Sequence, residues 1–197
     1  MTRQSSCHKP LGKLIELILM QAMKTQPLDW ISLDAAVAIS GISKSTLWRR
    51  VTEGSIGKAG KDVRNRAMLA FADVLPLIDA RKPLSKEDIA LLLSADAGLS
   101  EAQADAGAMF YVAGNTKAAL YWLNEAADQN NADAMHWLSI AHAARSSGGK
   151  APRQSISPDQ EKDAHREGNL AVMWLARAAA LGHPLALQQM THIKTPR

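Results

Sequence analysis

"GISKSTLWRRVTEG", residues 41–54, joins a glycine turn to a short segment rich in basic side chains. The preceding "LDAAVAIS" follows Ser32 and predicts a short helix that Gly41 ends in a left-handed turn. Ser43 is expected to begin a second helix, because its hydroxyl can accept a hydrogen bond from a free amide of the first turn. Two helices joined by a short turn that contains glycine make a helix-turn-helix.

The spacing of apolar residues predicts which side of the second helix is exposed. Leu47 and Val51 lie four residues apart and would face the first helix, while Ile42 would fill the turn. The opposite side of the N-terminal half is the part that helix-turn-helix proteins place in the major groove. It carries Lys44, Ser45, Thr46 and Arg49, and Arg50 follows directly. The two arginines could instead form a solvated helix face.

A second basic segment, "SIGKAGKDVRNRAMLAF", follows at residues 55–71. Its two glycines suit a tight turn, and Val63, Ala67 and Leu69 are expected in short extended pieces. One acid, Asp62, stands among four cations, which are Lys58, Lys61, Arg64 and Arg66. A basic hairpin beside a basic helix is typical of proteins that contact phosphates, so the segment predicts binding to double-stranded DNA.

The whole stretch at residues 30–56 resembles the helix-turn-helix of the winged MerR-like superfamily, especially its excisionase and AlpA-like branch. The resemblance is carried by the Gly-hydrophobic-Ser turn, the Ser/Thr-Leu-aromatic-Arg helix and the closing Glu-Gly. It implies that Lys44, Ser45, Thr46 and Arg49 contact DNA and that residues 58–66 form the wing. Trp48 would then pack against the wing rather than stack on a base. Two residues depart from the family pattern, Ala35 and Val37.

The C-terminal half contains an internal repeat. "AALYWLNEAADQNNADAM" at residues 118–135 aligns without a gap to "LAVMWLARAAALGHPLAL" at residues 170–187, an offset of 52. The recurring Trp, Leu and paired Ala share one helix face, and Asn130 and Gly182 tolerate a left-handed helix end. The repeating unit is therefore predicted to be a helical hairpin. An earlier segment, residues 102–115, aligns at an offset of 30 to the segment after Asn130. Ala104, Ala108 and Tyr111 then correspond to Ala134, Leu138 and Ala141.

This pattern resembles the Sel1-like repeat, a relative of the tetratricopeptide repeat, over residues 102–190. Its second helix has the signature Ala-x-x-Trp-x-x-x-Ala-Ala-x-x-Gly. The resemblance implies an α-solenoid that binds a protein or peptide. The first unit lacks the Gly-x-Gly loop, and an insertion at residues 145–163 is rich in Gly, Pro and Ser. We interpret the insertion as a mobile loop, with a segment ordered by a partner as the alternative.

The charge distribution supports a two-domain organisation. Residues 1–83 hold 13 Lys/Arg and 7 Asp/Glu, a net charge of +6, whereas residues 84–197 hold 10 and 12, a net charge of −2. "ARKPLS" at residues 80–85 predicts the boundary, because its proline ends one helix and its serine caps the next. The predicted fold is mainly α: a small winged helix-turn-helix domain at 1–83, then a short solenoid of Sel1-like hairpins at 84–197.

Other classes of protein fit the sequence poorly. A single cysteine, Cys7, excludes an intramolecular disulfide and favours a reducing compartment. The apolar run at residues 11–23 is interrupted by Lys13 and Glu16, which indicates an amphipathic helix rather than a membrane span or signal peptide. That helix would belong to the core or form the contact of a homodimer. The protein is expected to be cytoplasmic.

The sequence gives no support for catalysis. It lacks a glycine-rich phosphate loop, an HExxH motif and a Cys/His ligand cluster, so we predict no enzyme activity, cofactor or metal. His136 and His142 are six residues apart and do not share a helix face, and His183 is expected at the surface of a repeat turn. The predicted function is a transcriptional regulator that binds DNA through its first domain and a protein through its second. The alternative is an adaptor in which both domains bind proteins.

Overall fold

A computed structural model describes residues 29–78, 83–147 and 157–194 of the chain. Within these ranges the protein is mainly helical, as predicted, with nine α-helices and one small three-stranded sheet. The helix predicted at residues 11–23 and Cys7 lie outside the described residues.

The sheet and the first three helices form the sheet region, residues 30–78. Its elements are β1 (Trp30–Ser32), α1 (Leu33–Ser40), α2 (Lys44–Thr52), β2 (Lys58–Lys61), β3 (Ala67–Ala70), α3 (Phe71–Val74) and a 3-10 turn (Leu75–Leu77). The strand order is β1-β3-β2 and both pairings are antiparallel. Trp30 pairs with Ala70 on one side of β3, and Lys58 pairs with Leu69 on the other.

Two details of the sheet differ from the sequence prediction. Strand β1 was not predicted, because three residues are too few to show an alternating pattern. Val63 was expected in a strand, but it is fully exposed in the turn between β2 and β3. That turn depends on Asn65, which has a φ of 63° and donates its amide to the Asp62 carbonyl at 2.9 Å. The glycines at 57 and 60 do not form it.

The remaining helices form the helical array. They are α4 (Lys86–Ala97), α5 (Ser100–Val112), α6 (Thr116–Asp128), α7 (Ala132–Ser146), α8 (Pro158–Ala180) and α9 (Pro184–Lys194). Each helix packs against the next one in the chain, and α5 also contacts α7. Ser85 begins the array with a capping box that includes Asp88, which confirms the predicted helix start.

The turns of the array repeat. The predicted left-handed helix ends are confirmed, with φ values of 61° at Asn130 and 87° at Gly182. After them the amide of Asn131 donates to the Ala126 carbonyl and that of His183 donates to Ala178, at 3.1 and 3.0 Å. Left-handed residues also occur at 98 and 114. Gly98 precedes α5 and Asn130 precedes α7, so these two helices are related by an offset of 32 residues. The predicted offset of 30 is therefore wrong by two.

The insertion predicted at residues 145–163 is shorter than expected. Helix α7 continues to Ser146, and α8 begins at Pro158 behind a capping box between Ser157 and Gln160. Residues 148–156 lie outside the described part of the chain. The sequence "SPDQ" is itself a helix start signal, a serine cap followed by proline and then glutamine, which the Gly- and Pro-rich composition obscured.

Two clusters of buried apolar side chains form the core. The first joins the sheet region to the array, and its largest members include Ile31, Leu47, Leu69, Leu92, Phe110 and Trp122. The second is formed by residues of α5 to α9 and includes Leu123, Leu138 and Trp174. The first cluster therefore crosses the predicted boundary between residues 83 and 84. The two predicted domains therefore share part of their core.

Candidate nucleic-acid interface

The turn between α1 and α2 has the predicted geometry. Gly41 has a φ of 67°, and its amide donates to the Val37 carbonyl at 3.0 Å. Ser43 caps α2, since its hydroxyl accepts from the Thr46 amide at 3.2 Å. Leu47 is fully buried in the first cluster, and Ile42 and Val51 pack against that cluster. The two helices are thus joined by three residues, and apolar side chains hold α2 in place.

The outer face of α2 is exposed and carries most of the predicted contact residues. Lys44, Ser45 and Arg49 are exposed, whereas Thr46 and Arg50 are half-buried. Lys44 Nζ lies 2.8 Å from Asp34 Oδ1, and Arg49 Nε lies 3.8 Å from Glu53 Oε1. Exposed ion pairs of this kind contribute little free energy, so a phosphate can replace the carboxylate.

The hydroxyls at the start of α2 form a local group. Ser45 Oγ and Thr46 Oγ1 lie 3.0 and 2.8 Å from Ser43 Oγ. They therefore lie together beside the free amides at the N-terminus of the helix, where partial positive charge favours an anion.

Trp48 and Lys58 connect α2 to the basic hairpin, which consists of β2, β3 and the turn between them. Lys58 Nζ lies 4.7 Å from the centroid of the Trp48 ring, within the range of a cation–π interaction. Trp48 therefore contacts the hairpin, as expected. Lys61 lies further along β2, and its Nζ donates to Asn65 Oδ1 at 2.8 Å. Trp48 and Lys58 thus join the exposed side of α2 to β2 in one surface.

Arg66 does not belong to that surface. It is 23% exposed, and its Nη2 and Nη1 lie 2.8 and 2.7 Å from the carboxylates of Asp62 and Asp96. Burial lowers the pKa of Arg66, but the two carboxylates outweigh burial, so its pKa is raised. The same contact acts on Asp62. Burial raises the pKa of Asp62, but hydrogen bonds from Arg66 and from the Arg64 amide lower it by more, so the pKa is lowered overall. Arg66 was predicted to bind DNA, but here it is an internal ion-pair partner.

Arg64 has an intermediate position. Its side chain is exposed, yet Nη2 donates to the carbonyl of Ala97 at the end of α4, at 2.8 Å. In the described part of the chain, the predicted contact cations with no carboxylate at ion-pair distance are Arg50, Lys58, Lys61 and Arg64. Among these only Lys58 and Lys61 are both exposed and free of a contact to the array.

Asp96 was not predicted from the sequence to have a role at this site. This residue is 4% exposed near the C-terminal end of α4, where a carboxylate is disfavoured by the negative end of the helix dipole. Such a local conflict, an acid in the otherwise apolar "IALLLSADAG", indicates a specific partner elsewhere in the fold. The partners are Ser32 and Arg66, which lie 64 and 30 residues away in the chain, so the sequence does not show these contacts.

Two histidines of the array, His136 and His183, contact each other. His183 is buried, not at the surface as predicted, and its ring stacks on His136 with centroids 4.3 Å apart. Its Nδ1 accepts from the Ala186 amide at 3.2 Å, so it caps α9, and its Nε2 lies 3.1 Å from Asp133 Oδ1. Within the described ranges no three His, Cys, Asp or Glu side chains are grouped so that they could hold a metal ion.

Comparisons of the chain with protein families, with curated proteins and with solved structures found no match. None of the described helices combines the length and the apolar character needed to cross a membrane.

Proposed function

We propose that the protein is a transcriptional regulator that binds double-stranded DNA through α2 and the basic hairpin. In this proposal α1 and α2 are the helix-turn-helix and the hairpin is the wing of an excisionase-like, MerR-like domain. The single observation that carries the proposal is the contact of Lys58 with Trp48, because it places an exposed cation of the hairpin against the exposed side of the second helix. Helix α2 would enter the major groove and Lys58 and Lys61 would contact phosphates.

We also propose that the helical array is a short Sel1-like solenoid that binds a protein or peptide. Its support is the repeated turn geometry at Asn130 and Gly182 and the close approach of α5 to α6 at Gly107. Helical arrays of this kind usually bind extended segments or helices. The half-exposed rings of Tyr111 and Trp137, 5.7 Å apart on α5 and α7, offer an aromatic contact for such a partner.

The DNA-binding proposal is tested by fluorescence anisotropy with a random duplex two helical turns long, at two salt concentrations. The wild-type protein should bind the duplex, and the logarithm of the binding constant should fall by about 0.9 per phosphate contact for each unit of log salt. The double variant Lys58→Gln/Lys61→Gln should bind DNA of any sequence more weakly. Its salt slope, the slope of the log binding constant against log salt concentration, should be smaller in magnitude by about two.

A matched control removes two exposed cations elsewhere. Lys86→Gln/Lys117→Gln makes the same change in net charge at the starts of α4 and α6 and should leave the salt slope unchanged. If both double variants lost the same DNA affinity, the binding would depend on net charge and not on the hairpin. No binding of the wild-type protein at low salt would instead favour the adaptor function.

A further inference from the structure

We infer that Asp96 is a positioning residue for DNA binding: it lies in the helical array, yet it fixes both the start of α1 and the turn of the basic hairpin. The inference rests on the proposed function. Asp96 touches no surface that could meet DNA, since its side chain is 4% exposed. It would act through Ser32 and Arg66.

The first link runs from Asp96 to the helix pair. Ser32 donates its amide to Asp96 Oδ2 at 2.7 Å and its hydroxyl to Asp96 Oδ1 at 2.6 Å. Ser32 is also the cap of α1, and its hydroxyl accepts from the Ala35 amide. The carboxylate therefore fixes the point at which β1 becomes α1, and with it the direction of the helix that supports α2.

The second link runs from Asp96 to the hairpin. Arg66 directly precedes β3 and donates to Asp96 Oδ1 at 2.7 Å and to the Asp96 carbonyl at 2.9 Å. Its guanidinium also holds Asp62, which accepts the amides of Arg64 and Arg66 across the hairpin turn. The contact thus extends from the end of α4 to the turn of the hairpin. Arg66 therefore binds a carboxylate oxygen and a main-chain oxygen of Asp96 at once, and such charge-assisted hydrogen bonds are strong and directional.

The end of α4 is shaped to receive the hairpin. Gly98 has a φ of 101°, and a Cβ at this position would collide with the guanidinium of Arg64. Two arginines of the hairpin therefore lie at the C-terminal end of α4, where cations are favoured by the helix dipole. The exposed cations of β2 can face DNA only while this contact orients the hairpin.

The test compares two substitutions that change net charge equally within one helix. Asp96→Asn and Asp88→Asn each remove one negative charge from α4, which alone would strengthen binding to phosphates. If Asp96 positions the interface, Asp96→Asn should weaken binding to the random duplex about tenfold and lower the salt slope by about two, because Lys58 and Lys61 lose their alignment. Asp88→Asn should bind at least as well as the wild type, since an asparagine oxygen can still accept the Ser85 amide.

Hydrogen exchange in the absence of DNA supplies a second readout. The Arg64 and Arg66 amides should exchange faster in Asp96→Asn and remain unchanged in Asp88→Asn. Unchanged exchange and affinity in Asp96→Asn would overturn the positioning role. A wild-type protein that fails to bind the duplex would overturn the DNA-binding function, and the exchange rates would still decide whether Asp96 holds the hairpin.

If Asp96→Asn does not fold, Arg66→Lys takes its place. This substitution keeps the charge but loses the planar guanidinium that reaches Asp62 and Asp96 together, so weaker DNA binding with faster hairpin exchange again supports the inference. Wild-type affinity in a folded Arg66→Lys protein overturns it.

Discussion

The sheet region and the helical array are held together by different kinds of contact. In the array, neighbouring helices meet through small residues and the same turn recurs, so most contacts join segments close in the chain. In the sheet region, Ser32 and Arg66 depend on one carboxylate that lies 64 and 30 residues away. The structure of the array therefore follows from its own repeats, whereas the hydrogen bonds and core of the sheet region require residues outside that region.

The largest expected effect is that of separating the two regions. A chain that ends at Pro83 should lack cooperative thermal unfolding by circular dichroism, because it loses Trp122 from the first cluster and Asp96 from its ion pairs. A chain that ends at Ser146 retains both and should unfold cooperatively. Cooperative unfolding of the shorter chain would show that the sheet region does not depend on the array, and it would support the predicted boundary at residue 83.

A smaller effect is expected inside the array, where two helical glycines have different surroundings. At Gly107 a Cβ would meet Leu123 Cγ at 2.5 Å and its backbone nitrogen at 3.2 Å, so Gly107→Ala should lower the free energy of unfolding by about 1–3 kcal/mol. At Gly168 the nearest atom is the Ser146 hydroxyl, 3.0 Å away, which can rotate. Gly168→Ala should therefore be neutral or stabilise by up to ~1 kcal/mol. Urea denaturation measures both, and equal losses would contradict close α5–α6 packing.

The smallest effect concerns pH at the end of the array. Burial lowers the pKa of His136 below its ordinary 6.5 and the nearby His183 lowers it further, whereas the Gln189 hydrogen bond and Asp133 oppose the decrease. As pH falls below 6.5 the unfolded chain takes up the proton first, so stability is complete above 6.5 and declines towards the folded-state pKa.

The melting temperature should accordingly fall by less than about 4 °C between about pH 7.5 and about pH 5.5. His136→Phe keeps a ring for stacking on His183 but does not titrate, so its melting temperature should depend less on pH. The same pH dependence in both proteins would exclude His136 as the source.

The sequence predicted the features that depend on neighbouring residues. Gly41, Ser43 and Asn130 have the expected turn and cap roles because each depends on residues within about five positions. Strand β1 and the buried role of Arg66 depend on pairing between distant segments, which leaves no periodic signal in one chain. For the same reason the sequence grouped Arg66 with the surface cations and did not reveal its contact with Asp96.

The first cluster also sets an order of events during synthesis. Residues 29–78 leave the ribosome first, but the side chains that complete their core extend to Trp122. At ~5–20 residues per second, the 44 residues from Ile78 to Trp122 take roughly 2–9 s to add. During this interval the sheet region lacks the array side chains of the first cluster, among them Leu92, Phe110 and Trp122. The nascent sheet region is then exposed to chaperones and proteases, and a stalled or truncated chain is expected to be degraded.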